Sequence, residues 1–521
     1  MIQYILYVAS EKQKQLSVEA ISRLGATKKT EPGSQDTYYE LAHKLLAETR
    51  LHIFFSSQGE SVTGHLRQHP VDLLIYDERN QGTEVITAAK QIRDDVQKLA
   101  ELWGPDFLFP MSRVVAILAE DKKNDARIFE LGRLNLRDVC VAPASTLIVL
   151  NWLREVLTRE VHANDKTGIA LSGGGVEGFL YQLGVLYALE RALGHKNSLR
   201  SGTKVISGVS SGSIAGSLFA CKIPIDEVIR SIYRKSEKLP QLTSTSLFDL
   251  AGTDILKRIL KESTSWAGLS PQKWIDKTLR AIPTGIFKGQ ALENYFQEVF
   301  AAYDIEDSFQ AIKDCNLYVG ATDQDSYQHV IFGPDRGPKA KITETLRASS
   351  ALPPIFLPKQ IDGRVYFDGQ VTKTVSLEPL VEQGCRLILI INPLKPQASQ
   401  IAGNASEQGG AFVITQTVKA LISTRFSLTL NHITERYPDI DFIVFEPDEE
   451  CAEIMSGSPM KYRIRTQLIQ LSYRNTLRRL RDRHRVYFSK FAKYGFHLAP
   501  MDQLKKLEAS EGSVFEELEN S

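Results

Sequence analysis

Gly208-Val209-Ser210-Ser211-Gly212 follows a short apolar run, Lys204 to Ser207, and precedes the small-residue stretch Ile214-Ala215-Gly216-Ser217-Leu218-Phe219-Ala220. A G-x-S-x-G pentapeptide between a strand and a helix is the setting of a nucleophile elbow. The chain turns so sharply that a β-carbon on either flank would clash, and the serine Oγ is left at a helix N-terminus. The chemistry this serves is acyl transfer through a serine ester. Chance alone produces the pattern on the order of 0.15 times in a chain of this composition, so its neighbours must decide.

Ser172-Gly173-Gly174-Gly175-Val176-Glu177-Gly178 also follows an apolar run and opens an apolar helical segment, Phe179 to Leu193. Backbone N–H groups in such a loop converge on an anion. Gly173, Gly175 and Gly178 fit G-x-G-x-x-G, but a dinucleotide site needs an acidic residue at the end of the next strand. That strand ends in Ser207-Gly208-Val209-Ser210. No Gly-Lys-Ser/Thr follows, which excludes a P-loop. The role left is an oxyanion hole, a set of donors placed where a tetrahedral intermediate develops negative charge.

A serine nucleophile needs a base within hydrogen-bond reach, and Tyr366-Phe367-Asp368-Gly369-Gln370-Val371 puts an Asp at the end of a strand before a glycine turn. Glycine loop, G-x-S-x-G and late Asp-Gly, in this order, resemble the patatin-like phospholipases, which use a Ser/Asp dyad. The resemblance spans about residues 166 to 450 and includes Arg347-Ala348-Ser349-Ser350-Ala351-Leu352-Pro353-Pro354-Ile355-Phe356. It implies Ser210 as nucleophile, Asp368 as base and the N–H groups of Gly173, Gly174 and Gly175 as oxyanion hole. It implies hydrolysis of a carboxylic ester in a membrane phospholipid or lysophospholipid, with no metal and no cofactor. Two positions depart from the family: Glu177 stands where Arg or Lys is usual, and Gln370 where Gly or Ala is usual. We expect Glu177 to turn outward and complement the helix dipole.

Other readings of the same residues stay open. A Ser, Asp, His triad would recruit His432, His484 or His497. Ser210 could also act only as a helix N-cap. A protein of another class, a signalling adaptor that uses the hydrolase fold as a binding surface, would tolerate the changes at Glu177 and Gln370, although it has no need of both Ser210 and Asp368.

These residues need a scaffold, and the chain supplies enough for more than one. It has 521 residues, 43% of them apolar, with 63 Lys plus Arg against 62 Asp plus Glu. That balance gives no global case for binding nucleic acid. Five scattered cysteines without C-x-x-C spacing argue against a disulfide framework or a structural zinc site. No secretion signal is read at Met1-Ile2-Gln3-Tyr4, and the longest apolar runs, such as Val114 to Leu118 and Leu387 to Ile391, fall far short of a membrane span. The expected location is the cytoplasm, with peripheral contact at the inner membrane face.

The expected fold class is α/β: a flavodoxin-like, receiver-like parallel-sheet domain over residues 1–160, then a patatin-like α/β hydrolase domain over 161–500 whose central sheet is flanked by helices. Residues 501–521, with a net charge of −4, are expected to be a disordered acidic tail. In the first block the strands are Tyr4 to Val8, Leu51 to Phe55, Val71 to Tyr76, Val114 to Leu118 and Val139 to Val141. Its helices are Thr37 to Thr49, Thr83 to Leu102, Asp125 to Leu131 and Ser145 to Arg159. The block resembles a response-regulator receiver, with Asp77 at the phosphoacceptor position. Val8, Ala9 and Ser10 replace the acidic pair, Ala119 the hydroxyl residue and Ala142 the Lys. Lacking those groups it reads as a pseudo-receiver, a module for dimerisation or a protein partner, in which Asp77 is vestigial or merely caps its loop. Gly403 to Gly410 reads as a mobile loop. Between Lys461 and Phe496 eleven basic residues face Asp482 alone, a net +10. With apolar residues at helical spacing, this segment reads as a basic amphipathic helix. Its Arg478, Arg479, Arg481 and Arg485 would either touch anionic membrane or pair with acidic patches such as Glu446 to Glu450.

Overall fold

The computed structural model describes residues 2–30, 36–42, 50–57, 62–79, 84–103, 108–120, 124–142, 166–194, 198–243, 246, 249, 285–396, 407, 409–455 and 464–520. The expected helix Ser145 to Arg159 and most of the expected loop Gly403 to Gly410 lie outside the described residues. The architecture is mixed α/β with two sheets.

Two compact units form. The first comprises Met1–Asp165, Ser427–Ile443 and Asp482–Leu498, and the second comprises Lys166–Phe426, Val444–Arg481 and Ala499–Ser521. In the first, β1 (Ile2–Ala9), β2 (Thr27–Thr30), β3 (Thr37–Ala42), β4 (Arg50–Ser57), β5 (Leu73–Asp77), β6 (Val114–Leu118) and β7 (Asp138–Val141) lie in the order β2-β3-β4-β1-β5-β6-β7. The run β4-β1-β5-β6-β7 is parallel, the 2-1-3-4-5 order of flavodoxin-like sheets. Side chains alternate between faces, so Leu6, Val8, Leu74 and Ala116 join one apolar cluster, while Ile5, Tyr7, Ile75 and Val115 join the other. Helices α1 (Glu11–Arg23), α2 (Val62–Gln68), α3 (Val85–Trp103) and α4 (Asn124–Arg133) accompany these strands. The expected helix from Thr37 is a strand instead: Thr37–Ala42 pairs antiparallel with β2 and β4, and buries Tyr38 on one face of the sheet and Leu41 on the other. Its Thr-Tyr-Tyr start has the β-branched and aromatic character of a strand.

Asp77, at the end of β5, is fully buried. Arg79 donates to Oδ1 from Nε (2.9 Å) and its backbone N–H (3.0 Å) and to Oδ2 from Nη2 (2.7 Å), and the Tyr7 hydroxyl also donates to Oδ2. The loop-capping reading of Asp77 thus has a partner in Arg79, and both carboxylate oxygens are engaged.

The division between units is not the contiguous one expected. Arg113 places Nη2 3.0 Å from Asp441, Lys493 places Nζ 3.0 Å from both Asp72 and Asp441, and the Tyr494 hydroxyl donates to Asp441 at 2.8 Å. Burial alone would raise the Asp441 carboxyl, but Lys493 and Arg113 outweigh it and hold the group well below the usual carboxylate range. A hydrogen-bonded buried cluster of this kind fixes two distant chain segments to one unit.

The second sheet contains β8 (Lys166–Leu171), β9 (Thr203–Val209), β10 (Asn316–Asp323), β11 (His329–Phe332), β12 (Lys359–Ile361), β13 (Arg364–Asp368), β14 (Cys385–Ile391) and β15 (Asp441–Phe445). Its order is β12-β13-β10-β9-β8-β14-β15, with β11 paired to β10. The helices used below are α5 (Gly175–Ala192), α6 (Ser211–Ala220), α7 (Gln290–Ala302), α8 (Ile342–Ser349), α9 (Gly410–Arg436), α10 (Arg465–Asp482), α11 (His484–Lys493), α12 (Met501–Ala509) and α13 (Glu511–Asn520).

The basic segment is two helices, α10 and α11, broken at Arg483, where the backbone leaves helical geometry at φ −120° and ψ 31°. The C-terminal residues are helical rather than disordered, because α12 and α13 bury Leu504, Phe515 and Leu518. Phe515 packs on Tyr187 and Tyr473, with centroids 6.0 and 5.4 Å away. The acids of this tail neutralise the arginines of α10: Glu508 pairs with Arg478 and Arg481, and Glu511 with Arg474. Arg479 lies over the Phe445 ring, and Arg485, on α11, helps burial push His69 down to about 4. Arg478, Arg479 and Arg481, three of the four arginines considered for membrane contact, therefore have intramolecular partners.

Phe515→Ala is expected to cost about 3–5 kcal/mol of stability, measured by denaturant unfolding. A chain ending before Met501 that unfolds at the full-length denaturant midpoint would contradict the packing role given to α12 and α13.

Candidate active site

Sheet register brings the three motifs together. Leu171 pairs with Gly208, Val209 with Gly320, and Ala321 with Asp368. The glycine loop after β8, Ser210 after β9 and Asp368 at the end of β13 therefore leave the sheet at one level.

The turn at Ser210 is as tight as the pentapeptide implies. A β-carbon on Gly208 would stand 2.4 Å from Gly212 O, and one on Gly212 would stand 2.3 Å from Leu171 O. Ser210 itself has φ 53° and ψ −127°, a conformation that costs a non-glycine residue roughly 1–3 kcal/mol. The surroundings hold it there: Ser210 N–H donates to Ser349 Oγ at 2.8 Å, and Ser349 Oγ–H donates to Gly320 O at 2.7 Å. Ser210 precedes α6, but its side chain makes no capping bond to that helix, so the simple N-cap reading fails. The hydroxyl is directed to Asp368 instead.

Asp368 is 1% exposed. Burial pushes its carboxyl up to about 7, against the pull of hydrogen bonds from the Ser210 hydroxyl and the Gln370 N–H, the latter 2.8 Å long. Desolvation dominates because no cationic side chain offsets it. From behind, Thr322 Oγ1 donates to Asp368 O at 3.0 Å and lies 2.8 Å from Thr372 Oγ1. His329 completes this layer, with ring nitrogens 3.0 Å from Thr372 Oγ1 and 2.7 Å from Ser376 Oγ. Burial drops the imidazole to about 4, so it is neutral near pH 7.

The glycine loop lies across the site. Gly174 caps α5, whose N-terminus and that of α6 both open beside Ser210, giving backbone donors and favourable dipole ends for an anion. Gln182 Nε2 fixes the loop's start by donating to Ser172 O at 2.5 Å, and Ser172 Oγ donates to Asn392 Oδ1 at 2.7 Å. Glu177 does not turn outward: it is buried, with Oε2 4.0 Å from Lys419 Nζ of α9. Lys419 also donates to Met455 O, and the Glu177 charge faces a cation.

Ser210, Asp368, Gly174 and Gly175 open onto a cavity of about 490 Å³. Its walls are mainly apolar, including Phe179, Leu218, Phe296, Leu352, Phe356 and Ile422, with Lys419 and Arg425 among the polar groups. A space of this size and lining suits an apolar chain with a polar end. His432, His484 and His497 all belong to the first unit, outside the one that holds Ser210 and Asp368. No cluster of three metal-ligating side chains occurs among the described residues. The motif reading missed Ser349, His329, Asn392 and Lys419 as supporting groups. Ser349 alone carried a signal, as part of the Arg347 to Phe356 stretch.

Residues 169–381 match the patatin-like phospholipase family model (Patatin). Among solved structures, VipD from Legionella pneumophila is 15% identical over 68% of this chain and 75% of its own, with a TM-score of 0.29. Human GIVD cytosolic phospholipase A2 is 10% identical over 72% of this chain and 65% of its own, with a TM-score of 0.31. ExoU of the Pseudomonas aeruginosa type III secretion system, in complex with SpcU, is 14% identical over 67% and 60%, with a TM-score of 0.23.

The raised Asp368 carboxyl has a consequence for stability. Its folded-state value lies above that of an unfolded chain, so the stabilisation of its neutral form is fully present below about pH 4 and is lost as pH rises through about 7. Asp368→Asn is neutral throughout. It should gain stability relative to wild type between about pH 4 and pH 9, by up to about 4 kcal/mol, in paired denaturant titrations. A difference that does not change with pH would show that Asp368 is not buried as described.

Proposed function

We propose that this protein is a lipid acyl hydrolase of the phospholipase A or lysophospholipase type, acting through Ser210 and Asp368. The observation that carries the reading is the buried Asp368 carboxylate, hydrogen-bonded to the Ser210 hydroxyl at the mouth of two helix N-termini. The match of residues 169–381 to the patatin-like phospholipases supports it.

In the first step Asp368 takes the Ser210 proton as Oγ attacks the ester carbonyl carbon. The carbonyl oxygen becomes an oxyanion facing the N–H groups of Gly173, Gly174 and Gly175. Collapse breaks the bond to the alkoxy group, which leaves with the proton held on Asp368, and Ser210 is left acylated. Water then gives its proton to Asp368 and attacks the acyl carbon. Collapse of the second intermediate releases the fatty acid and returns the proton to Ser210 Oγ. A carboxyl near 7 accepts and returns a proton near neutral pH far better than one near 4.

The cavity mouth favours a substrate drawn from a lipid surface. Ile414 (66% exposed), Val418 (48%) and Leu421 (67%) on α9 both line the cavity and face outward, beside the exposed Val371. From Gly410 to Thr434 this helix carries Lys419 and Arg425 and no acid. An apolar rim continuous with an apolar cavity lets an acyl chain enter without crossing water. No helix among the described residues is long and apolar enough to span a membrane, so the contact proposed is peripheral, at the inner membrane face of the cytoplasm. The unit containing residues 1–160 would act as a dimerisation or regulatory module. The burial and engagement of Asp77 disfavour a phosphoswitch, and intact Ser210 and Asp368 favour catalysis over an adaptor role.

Ser210→Ala and Asp368→Asn should each lower hydrolysis of a short-chain nitrophenyl ester by about 10³-fold or more, and wild-type kcat/KM should climb as pH rises through about 7. Folded variants that keep their activity would refute the dyad. Leu421→Asp with Ile414→Asp should cut hydrolysis of phospholipid vesicles roughly tenfold more than that of the soluble ester. Equal losses on the two substrates would remove α9 from the lipid contact.

A further inference from the structure

Gln370, where the family has Gly or Ala, sits inside the site rather than at its edge. Its backbone is held on both sides: its N–H donates to Asp368 Oδ1 at 2.8 Å, and its carbonyl accepts from Arg425 Nη2 at 2.5 Å. Arg425 also donates to Val371 O (2.9 Å) and Thr374 Oγ1 (3.2 Å), so the whole turn after Asp368 is fixed. The side chain is 7% exposed and reaches the glycine loop. A β-carbon on Gly173 would stand 2.2 Å from Gln370 Oε1 and 2.8 Å from Ser210 Cβ. The carboxamide and Ser210 thus flank the same glycine α-carbon, on a wall of the cavity. Yet Gln370 Nε2 is buried without any hydrogen-bond partner, a rare condition for an amide donor in a protein interior.

A half-turn of the carboxamide exchanges Oε1 and Nε2 while keeping the same shape. It brings the unpaired N–H₂ to the position that Oε1 holds, against Gly173 and close to Ser210. We propose that Gln370 is a further oxyanion donor, a side-chain N–H added to the backbone set of Gly173, Gly174 and Gly175. The role rests on the Ser210 acyl-hydrolase reading and adds to it a catalytic residue that binds the transition state more tightly than the substrate. A short residue at this position would leave the backbone donors to act alone.

The test compares the full-length wild type with Gln370→Met, which keeps length and loses the N–H, and Gln370→Ala, each checked for wild-type thermal unfolding. Three quantities are measured: kcat and KM on a soluble nitrophenyl ester, inhibition by a trifluoromethyl ketone that forms a tetrahedral adduct with serine, and binding of an unreactive ether analogue of the substrate. Loss of one oxyanion donor lowers kcat about 10²-fold. We expect that loss in both variants, with KM and ether binding changed less than about twofold, and with ketone affinity falling by the same factor as kcat. A merely structural role would change ether binding or thermal unfolding along with kcat. Turnover unchanged in Gln370→Met, or ketone affinity unchanged while kcat falls, overturns the proposal alone. An inactive wild type, or turnover that persists in Ser210→Ala, overturns the hydrolase reading and this proposal with it.

Discussion

Withdrawing one carboxyl group from water is what the rest of the site is arranged around. Asp368 ends a strand whose last residues, Tyr366 and Phe367, are buried, and it pairs across the sheet with the buried Ala321. Two hydrogen bonds reach it, from Ser210 and from the next turn, and neither donor is charged. A partner arginine or lysine would have held the group ionised and feebly basic. With desolvation outweighing those two hydrogen bonds, the carboxyl gains affinity for a proton. The same dryness increases the value of every dipole aimed at the reacting carbonyl.

Helix α9 ties the parts together. Lys419 faces Glu177 in the first turn of α5, next to the glycine loop, while Arg425, less than two turns further on, holds the turn that follows Asp368. The exposed apolar residues of that helix form the cavity rim. One element therefore connects the anion-binding loop, the carboxyl turn and the entrance. Glu177 is matched by a cation, Lys419, from a helix more than two hundred residues later in the chain.

Sequence carried the site's skeleton, because glycine sterics and strand-end chemistry are local. Gly208 is required by the backbone of Gly212 and Ser213 in its own turn, so the pentapeptide could be read without a fold, although Gly212 is pressed by Leu171 and Ser172 from a segment about forty residues earlier. The α/β class was equally legible, since parallel strands buried on both faces show up as apolar runs such as Val114–Leu118. What escaped were features set by distant segments. Thr37–Ala42 is a strand because β2 and β4 flank it. The acidic tail is ordered because Phe515 finds Tyr187 and Tyr473, and its glutamates find the arginines of α10. Net charge counted along each segment separately left membrane contact and acid pairing both open for the basic segment and gave a disordered tail, whereas across the two segments Glu508 and Glu511 pair with Arg474, Arg478 and Arg481. Ser427–Ile443 and Asp482–Leu498 join the first unit through Asp441, Lys493 and Arg113, a cluster with no local signature.

The central claim is that buried Asp368 activates Ser210. Its most direct test is the rate at which an alkyl fluorophosphonate modifies the full-length protein, followed by mass spectrometry to locate the adduct, in wild type and Asp368→Asn. The account predicts a single adduct on Ser210, formed faster as pH rises through about 7 and nearly abolished in Asp368→Asn. An adduct on another residue, or equal labelling of Ser210 in both proteins, would contradict it.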